Sequence, residues 1–315
     1  MIRLKLVPDQ TNIPFLKWRK VAAVISIVAV LGSLVLAFVP GLNFGIDFRG
    51  GILIEIKTVS VPDLGAMRTE LNGLGLGEVA LQEFGAETDI LIRVEQQPGG
   101  APAQQAAVER IKTALGQMVG DDIDYRRTEF VGPKVSGELI EAGIIAVALA
   151  VVMMLVYIWF RFEWHFGLGA VVALVHDVAI SIGLFGATQM EFNLATIAAL
   201  LTIVGYSIND TVVVFDRVRE NLRRYKTRPL LEVLNVSVND TLARTTMTSV
   251  TTLLALFALL IFGGEVIRSF VVAMIWGIVI GTYSSVFVAA PLLVWLGLEK
   301  QRRREASEEA AEPAA

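Results

Sequence analysis

The sequence predicts a polytopic α-helical membrane protein with six transmembrane helices and one α+β, ferredoxin-like domain between the first and second helices. Three observations predict it. Hydrophobic residues make up 54% of the 315-residue chain, and the mean hydropathy of +0.62 lies outside the range of soluble globular proteins. Six apolar runs, at residues 21–39, 139–160, 166–188, 192–215, 245–262 and 270–296, approach or exceed the ~20 residues that cross a bilayer as a helix. Residues 40–138, by contrast, are polar enough for a soluble domain.

Residues 1–20 are basic, with Arg3, Lys5, Lys17, Arg19 and Lys20 against Asp9. The run at 21–39 has 19 residues and ends in Phe38-Val39-Pro40. A signal peptide has a core of about 7–15 apolar residues and a small-residue cleavage site, so an uncleaved span is expected. Within 40–138, alternation at 51–57 reads as a strand, and 61–74 as a helix capped by Ser60 with Pro62 in its first turn. Strands are expected at 79–84 and 89–95 around a turn at Gly85-Ala86, a second helix at 102–119 and a last strand at 123–131. That order, strand-helix-strand-strand-helix-strand, is the split βαβ arrangement of ferredoxin-like domains.

Basic residues orient the spans. Among the short connections and termini, the amino terminus, the 161–165 turn, a loop expected at 217–244 and the tail at 297–315 carry all the Arg and Lys except Arg268. Both termini are therefore expected in the cytoplasm and the polar domain outside. The tail beyond Arg304 is acidic and Ala-rich, without apolar periodicity, and is expected to be disordered.

The chain has no cysteine and two histidines, which excludes disulfides and thiolate metal sites and leaves little for any metal. No phosphate-binding glycine loop and no nucleophile turn is present. No enzyme activity, cofactor or nucleic-acid partner is expected.

Function is instead expected from ionisable groups inside the apolar runs, where an ionised Asp costs about 2.5–3.5 kcal/mol on insertion scales. His176 and Asp177 fall about eleven residues from the 161–165 turn, near mid-bilayer by helix rise. A neutral hydrogen-bonded pair between helices is the structural alternative. In the fourth span Ser207, Asp210, Thr211 and Val214 share one face, with Asn209 turned away from it. Asp210 is the first functional candidate, against the alternative of an interfacial carboxylate. In the fifth span Thr241, Arg244, Thr245, Thr248 and Thr252 form a polar stripe at spacings of three and four. Arg244 reads either as a side chain snorkelling to the interface or as the counter-charge of Asp210. A separation that changed between conformations would let Asp210 bind and release a proton in step with the motion. Gly277 and Gly281 form a Gly-x-x-x-Gly pair that permits close helix approach.

Four stretches stand out: Phe44-Gly45-Ile46-Asp47-Phe48-Arg49-Gly50-Gly51, Val175-His176-Asp177, Gly205-Tyr206-Ser207-Ile208-Asn209-Asp210-Thr211 with Phe215-Asp216-Arg217, and 241–252 with Arg244. Together they resemble the SecF family of bacterial protein-export subunits. The resemblance covers nearly the whole chain. It implies a half of the resistance-nodulation-division type in a bacterial inner membrane, with the outer domain in the periplasm. The implied partners are SecD, YajC and the SecYEG channel, indirectly the SecA motor, and the translocating preprotein. It also implies use of the proton gradient, with Asp210 and Arg244 as coupling charges, His176 and Asp177 as a motif of less defined role, and Asp47, Arg49, Gly50 and Gly51 as the signature of the outer domain. Two other function classes stay open at this point: a proton-coupled small-molecule exporter half, and a passive assembly factor whose buried charges only fix helix register.

Overall fold

The computed structural model describes residues 8, 11–120, 122–264 and 267–299. They form two compact units, one comprising Phe44–Ala146 with Glu191–Leu194 and the other the remaining described residues. The chain begins with a short 3₁₀ turn, Phe15–Trp18, and helix α1, Arg19–Phe38, in the larger unit.

The smaller unit opens with one helical turn, α2 (Ile46–Arg49), followed by β1 (Gly51–Lys57), α3 (Leu64–Gly73), β2 (Val79–Phe84), β3 (Ala86–Val94), α4 (Ala101–Val119) and β4 (Asp124–Val131). All pairings are antiparallel and the sheet order is β2-β3-β1-β4. Register follows the alternation of side chains. Ile52, Ile54, Ile56, Val79, Leu81, Ile90, Ile92 and Val94 all face one side, where Met67 and Leu71 of α3 and Ala107, Val108, Ile111 and Leu115 of α4 complete a dry core. Edge strand β4 is charged (Asp124, Arg126, Arg127, Glu129), which discourages further strand pairing.

The first helix of this domain starts later than its sequence suggests. Asp63, not Ser60, is the cap, accepting from Gly65 N (2.8 Å) and Ala66 N (3.1 Å). Pro62 disfavours helical backbone at Val61, and a carboxylate is as good a cap as a hydroxyl. Gly50 and Gly51 both adopt positive φ (71° and 113°) at the entry to β1. A Cβ at Gly51 would press on Val94 O, so backbone conformation and space both require glycine there.

The remaining helices are α5 (Pro133–Arg161), α6 (Trp164–Thr188), α7 (Leu194–Arg224), α8 (Leu230–Phe262) and α9 (Arg268–Ser284). A π-helical turn, Ser285–Ala289, and α10 (Ala290–Trp295) follow. Among the described residues six segments are long and apolar enough to cross a membrane, the last running through the π turn as Arg268–Trp295. The cytoplasmic loop expected at 217–244 is instead the end of one helix and the start of the next, with only residues 225–229 between them. At 1.5 Å per residue, the 31 residues of α7 span about 46 Å, well beyond a ~30 Å hydrocarbon core. The protruding ends hold together because Val218, Leu230, Leu234 and Val238 recur at helical spacing and join the bundle's core. Asn221 Nδ2 donates to Ser237 Oγ (3.0 Å) and Asp240 Oδ2 (3.1 Å), and Arg217 pairs with Asp240 (2.8 Å).

Phe162 and Phe166 each pack edge-to-face against Phe215 of α7, with ring centroids 5.9 and 5.2 Å away. Small residues set the closest approaches. A Cβ at Gly186 of α6 would meet the Leu36 backbone of α1, and one at Gly277 of α9 would meet the Ile203 side chain of α7. The tail beyond residue 299, where disorder is expected, lies outside the described residues.

Candidate functional site

Two buried carboxylates lie in the bundle, each held by hydroxyls from neighbouring helices. Asp177 (α6) is wholly buried. Its Oδ1 is hydrogen-bonded to His176 Nδ1 at 2.8 Å, and its Oδ2 accepts from Ser207 Oγ of α7 (2.5 Å) and Ser284 Oγ of α9 (2.6 Å). Asp210 (α7) is 7% exposed. Its Oδ1 accepts from Thr245 Oγ1 of α8 and its Oδ2 from Ser285 Oγ of the π turn, both at 2.5 Å. Among the described residues no Lys or Arg nitrogen lies within 4 Å of either carboxylate.

Local structure explains why four helices converge there. Ser207 and Asp210 are three residues apart and so lie on one face of α7, one toward α6 and the other toward α8. Ser284 and Ser285 are consecutive, about 100° apart on a helix, so one turn of chain serves both carboxylates. The π turn opens at Ser285, a departure from α-helix of the kind often found at functional sites. Gly281 admits the approach: a Cβ there would stand 3.2 Å from Ser207 Cβ. A further polar tie between α8 and α9, Ser249 to Thr282 (2.7 Å), lies one helical turn along α8 from Thr245.

His176 stacks on Tyr283 (centroids 6.0 Å apart), whose hydroxyl reaches Ser26 Oγ and donates to Ala22 O of α1, each at 3.1 Å. Buried His176 Nε2, Ser181 Oγ and Tyr206 OH have no hydrogen-bond partner among the described residues.

The structure does not bring together every residue the sequence singles out. Arg244 is exposed on α8 and makes no ion pair with Asp210 among the described residues, though its charge lies near enough to act on that carboxylate through space. The reason is angular: Thr245 faces Asp210, and its neighbour Arg244 is turned about 100° away. Thr248 is exposed and bonds back to its own helix, Thr252 is half-buried and does the same, and Asn209 is exposed beside the buried Asp210. Ser207, which shares the Asp210 face in the sequence, is the direct partner of Asp177. Ser284, Ser285 and Tyr283 are the residues that sequence reading missed. Their signal was four consecutive hydroxyl-bearing residues, Thr282 to Ser285, inside an apolar run.

In the smaller unit, Asp47 Oδ2 accepts from Leu194 N (2.9 Å), at the first residue of α7. Gly45 N donates to Phe192 O (2.9 Å), and Phe44 packs edge-on against Phe48 and Phe192. Arg49 is exposed beside this segment. Burial pushes the Glu191 carboxyl above the usual carboxylate range, against the pull of Arg93 and Arg127 and with the help of Asp47 and Glu129. No group of three or more His, Cys, Asp or Glu that could hold a metal occurs among the described residues.

Comparison with known proteins agrees with this architecture. Residues 111–299 match the family "Protein export membrane protein SecD/SecF, C-terminal", and residues 35–59 match the "SecD/SecF GG Motif". The chain is 49% identical to the protein translocase subunit SecF of Rhodobacter capsulatus, covering 96% of this chain and 94% of that one. It is 46% identical to that of Rickettsia felis, covering 96% and 97%. Among solved structures it resembles SecDF of Thermus thermophilus, a translocon-associated membrane protein, with a TM-score of 0.81 and 34% identity over 92% of this chain. The chain spans only 39% of that SecDF chain. It is a multi-pass membrane protein of the transport machinery rather than an enzyme, and it belongs to the SecF family of protein translocase subunits.

Proposed function

We propose that this chain works with SecD in the Sec protein translocase, next to the SecYEG channel and YajC. In this reading it uses the proton motive force to promote export of preproteins after SecA has inserted them. The observation that carries the reading is the pair of buried carboxylates, Asp177 and Asp210, satisfied by hydroxyls from neighbouring helices rather than by ion pairs. A hydroxyl both donates and accepts, so each carboxylate can gain or lose a proton with a reorientation of its partners. Protonating Asp210 would change what it asks of Thr245 and Ser285, and hence the packing of α7 against α8 and the π turn. A proton crossing the membrane supplies about 2.3 kcal/mol per 100 mV, enough to shift a conformational equilibrium.

His176, with its stacked Tyr283 and second ring nitrogen, belongs to this route. Arg244, Thr248 and Thr252 mark the face of α8 that meets SecD, where Arg244 can act as a counter-charge supplied to the joint pathway. The strand order β2-β3-β1-β4 supports reading the smaller unit as a ferredoxin-like domain. The basic connections support placing it in the periplasm with both termini in the cytoplasm.

The test is export of a model precursor into inverted membrane vesicles, with and without an ionophore, comparing wild type with Asp210→Asn at equal membrane levels. Loss of the gradient-dependent part of export, with assembly intact, is expected. Unchanged gradient dependence would make Asp210 structural and favour the passive assembly reading.

A further inference from the structure

Four arginines converge where α5 and α7 end. Arg161 closes α5, while Arg219, Arg223 and Arg224 occupy the last two turns of α7; with Asp216 and Glu220 they line a cleft of about 540 Å³. The two carboxylates are already engaged, Asp216 by Arg161 and Glu220 by Arg217 (2.7 Å). Arg219 lies 3.9 Å from Glu163, a loose pair. Arg223 and Arg224 are exposed, and among the described residues neither has a carboxylate partner; Arg224 only covers the Tyr225 ring at 5.4 Å. Four positive and two negative side chains leave the lining with a net charge of +2.

The level of this cleft in the membrane follows from its neighbours. Trp159 and Phe160 immediately precede Arg161 and are 83% and 85% exposed, and Trp164 at the start of α6 is 62% exposed. Lipid-facing aromatic rings at a helix end mark the boundary between acyl chains and headgroups. Arginines at helix carboxyl ends also complement the helix dipole, and basic residues orient spans. Neither role requires side chains from two helices to converge on one cavity. Two guanidinium groups without carboxylate partners, in a cleft at headgroup depth, match the bidentate geometry of a phosphate.

We propose that this cleft binds the phosphodiester headgroup of an anionic phospholipid. Arg223 and Arg224 hold the phosphate, Arg219 and the paired Arg161 set the surrounding field, and Trp159 and Phe160 supply apolar surface for the chains.

The test is native mass spectrometry of the full chain, alone and co-purified with SecD, after exchange against phosphatidylglycerol, phosphatidylcholine or millimolar inorganic phosphate. Phosphatidylglycerol should be retained in preference to phosphatidylcholine and should not be displaced by inorganic phosphate. Arg223→Ala with Arg224→Ala should weaken that retention by about thirtyfold, from two basic contacts at a membrane surface. Arg223→Lys with Arg224→Lys, which keeps the charge and the topology, should still lose part of it, because lysine lacks the fork. Lys57→Ala with Arg68→Ala, two exposed charges in the smaller unit, should leave retention unchanged. Equal retention of the two lipids, an equal loss in the Lys57/Arg68 variant, or occupancy by inorganic phosphate that excludes the lipid would each overturn the assignment. So would a cleft that SecD closes, seen as cross-linking from Arg223→Cys to SecD with lipid excluded from the complex.

Discussion

Ser207 donates to Asp177 across the interface between α6 and α7 at 2.5 Å, one helical turn before Asp210 on the same helix. A single face of α7 therefore touches both buried carboxylates, directly at Asp210 and through Ser207 at Asp177. Any shift of α7 is felt at both.

Ser207→Ala should cost about 0.6–1.7 kcal/mol, from the average to the largest value found for hydrogen bonds between membrane helices. Ser284→Ala should cost a similar amount. The double variant should cost more than the sum, because Asp177 Oδ2 then has neither donor. Thermal unfolding of the four proteins in detergent gives the cycle; strict additivity would show that the two donors act independently.

Gly186→Ala should disrupt the packing of α1 on α6, since the new Cβ would meet the backbone of Leu36, which cannot rotate aside. A loss of about 1–3 kcal/mol is expected for such overpacking. Gly32→Ala meets nothing within 4 Å and should be neutral or slightly stabilising. Equal melting temperatures for the two variants would contradict the close approach.

Asp47 caps the first turn of α7 through Leu194 N. Asp47→Ala should cost about 0.5–2 kcal/mol locally, whereas Asp47→Asn keeps an acceptor oxygen and should cost little. Hydrogen exchange at the amides of the first turn of α7 separates the two. Equal protection in both variants would mean that the cap is dispensable.

Glu191 is the acid outside the membrane whose folded-state pKa is raised, chiefly by burial. Over the window between its ordinary and its raised value the folded state binds more protons than the unfolded one. Its contribution to stability is thus fully present below the ordinary carboxylate pKa and is lost as pH rises through the raised value. Mild acidification from neutral pH should therefore stabilise the wild type more than Glu191→Gln. Parallel pH profiles for the two proteins would refute this.

Much of this was legible in the sequence because membranes and sheets impose strong, local rules. A run of apolar residues long enough to span must be a helix, and alternation in a polar stretch must pair as strands. His176, Asp177 and Asp210 stand out because ionisable groups are rare inside such runs. The ends of α7 and α8 were hidden by their charges: an amphipathic helix that leaves the membrane looks like a polar loop unless its buried stripe, Val218 to Val238, is followed at helical spacing.

What the chain could not disclose is which partner each polar group meets. Arg244 and Thr245 are neighbours in sequence, yet the threonine hydrogen-bonds Asp210 while the arginine acts on it only from a distance, because a 100° step on a helix turns one inward and the other out. The hydroxyls that complete both carboxylate sites come from Ser284 and Ser285, about a hundred and about seventy-five residues downstream of the acids they serve. The sequence by itself determined that six segments are long and apolar enough to cross a membrane, and where their acids lie. The pairing of those acids with hydroxyls rather than with arginine was decided by the rotation and close approach of packed helices, which glycines at contact positions permit and local patterns do not record.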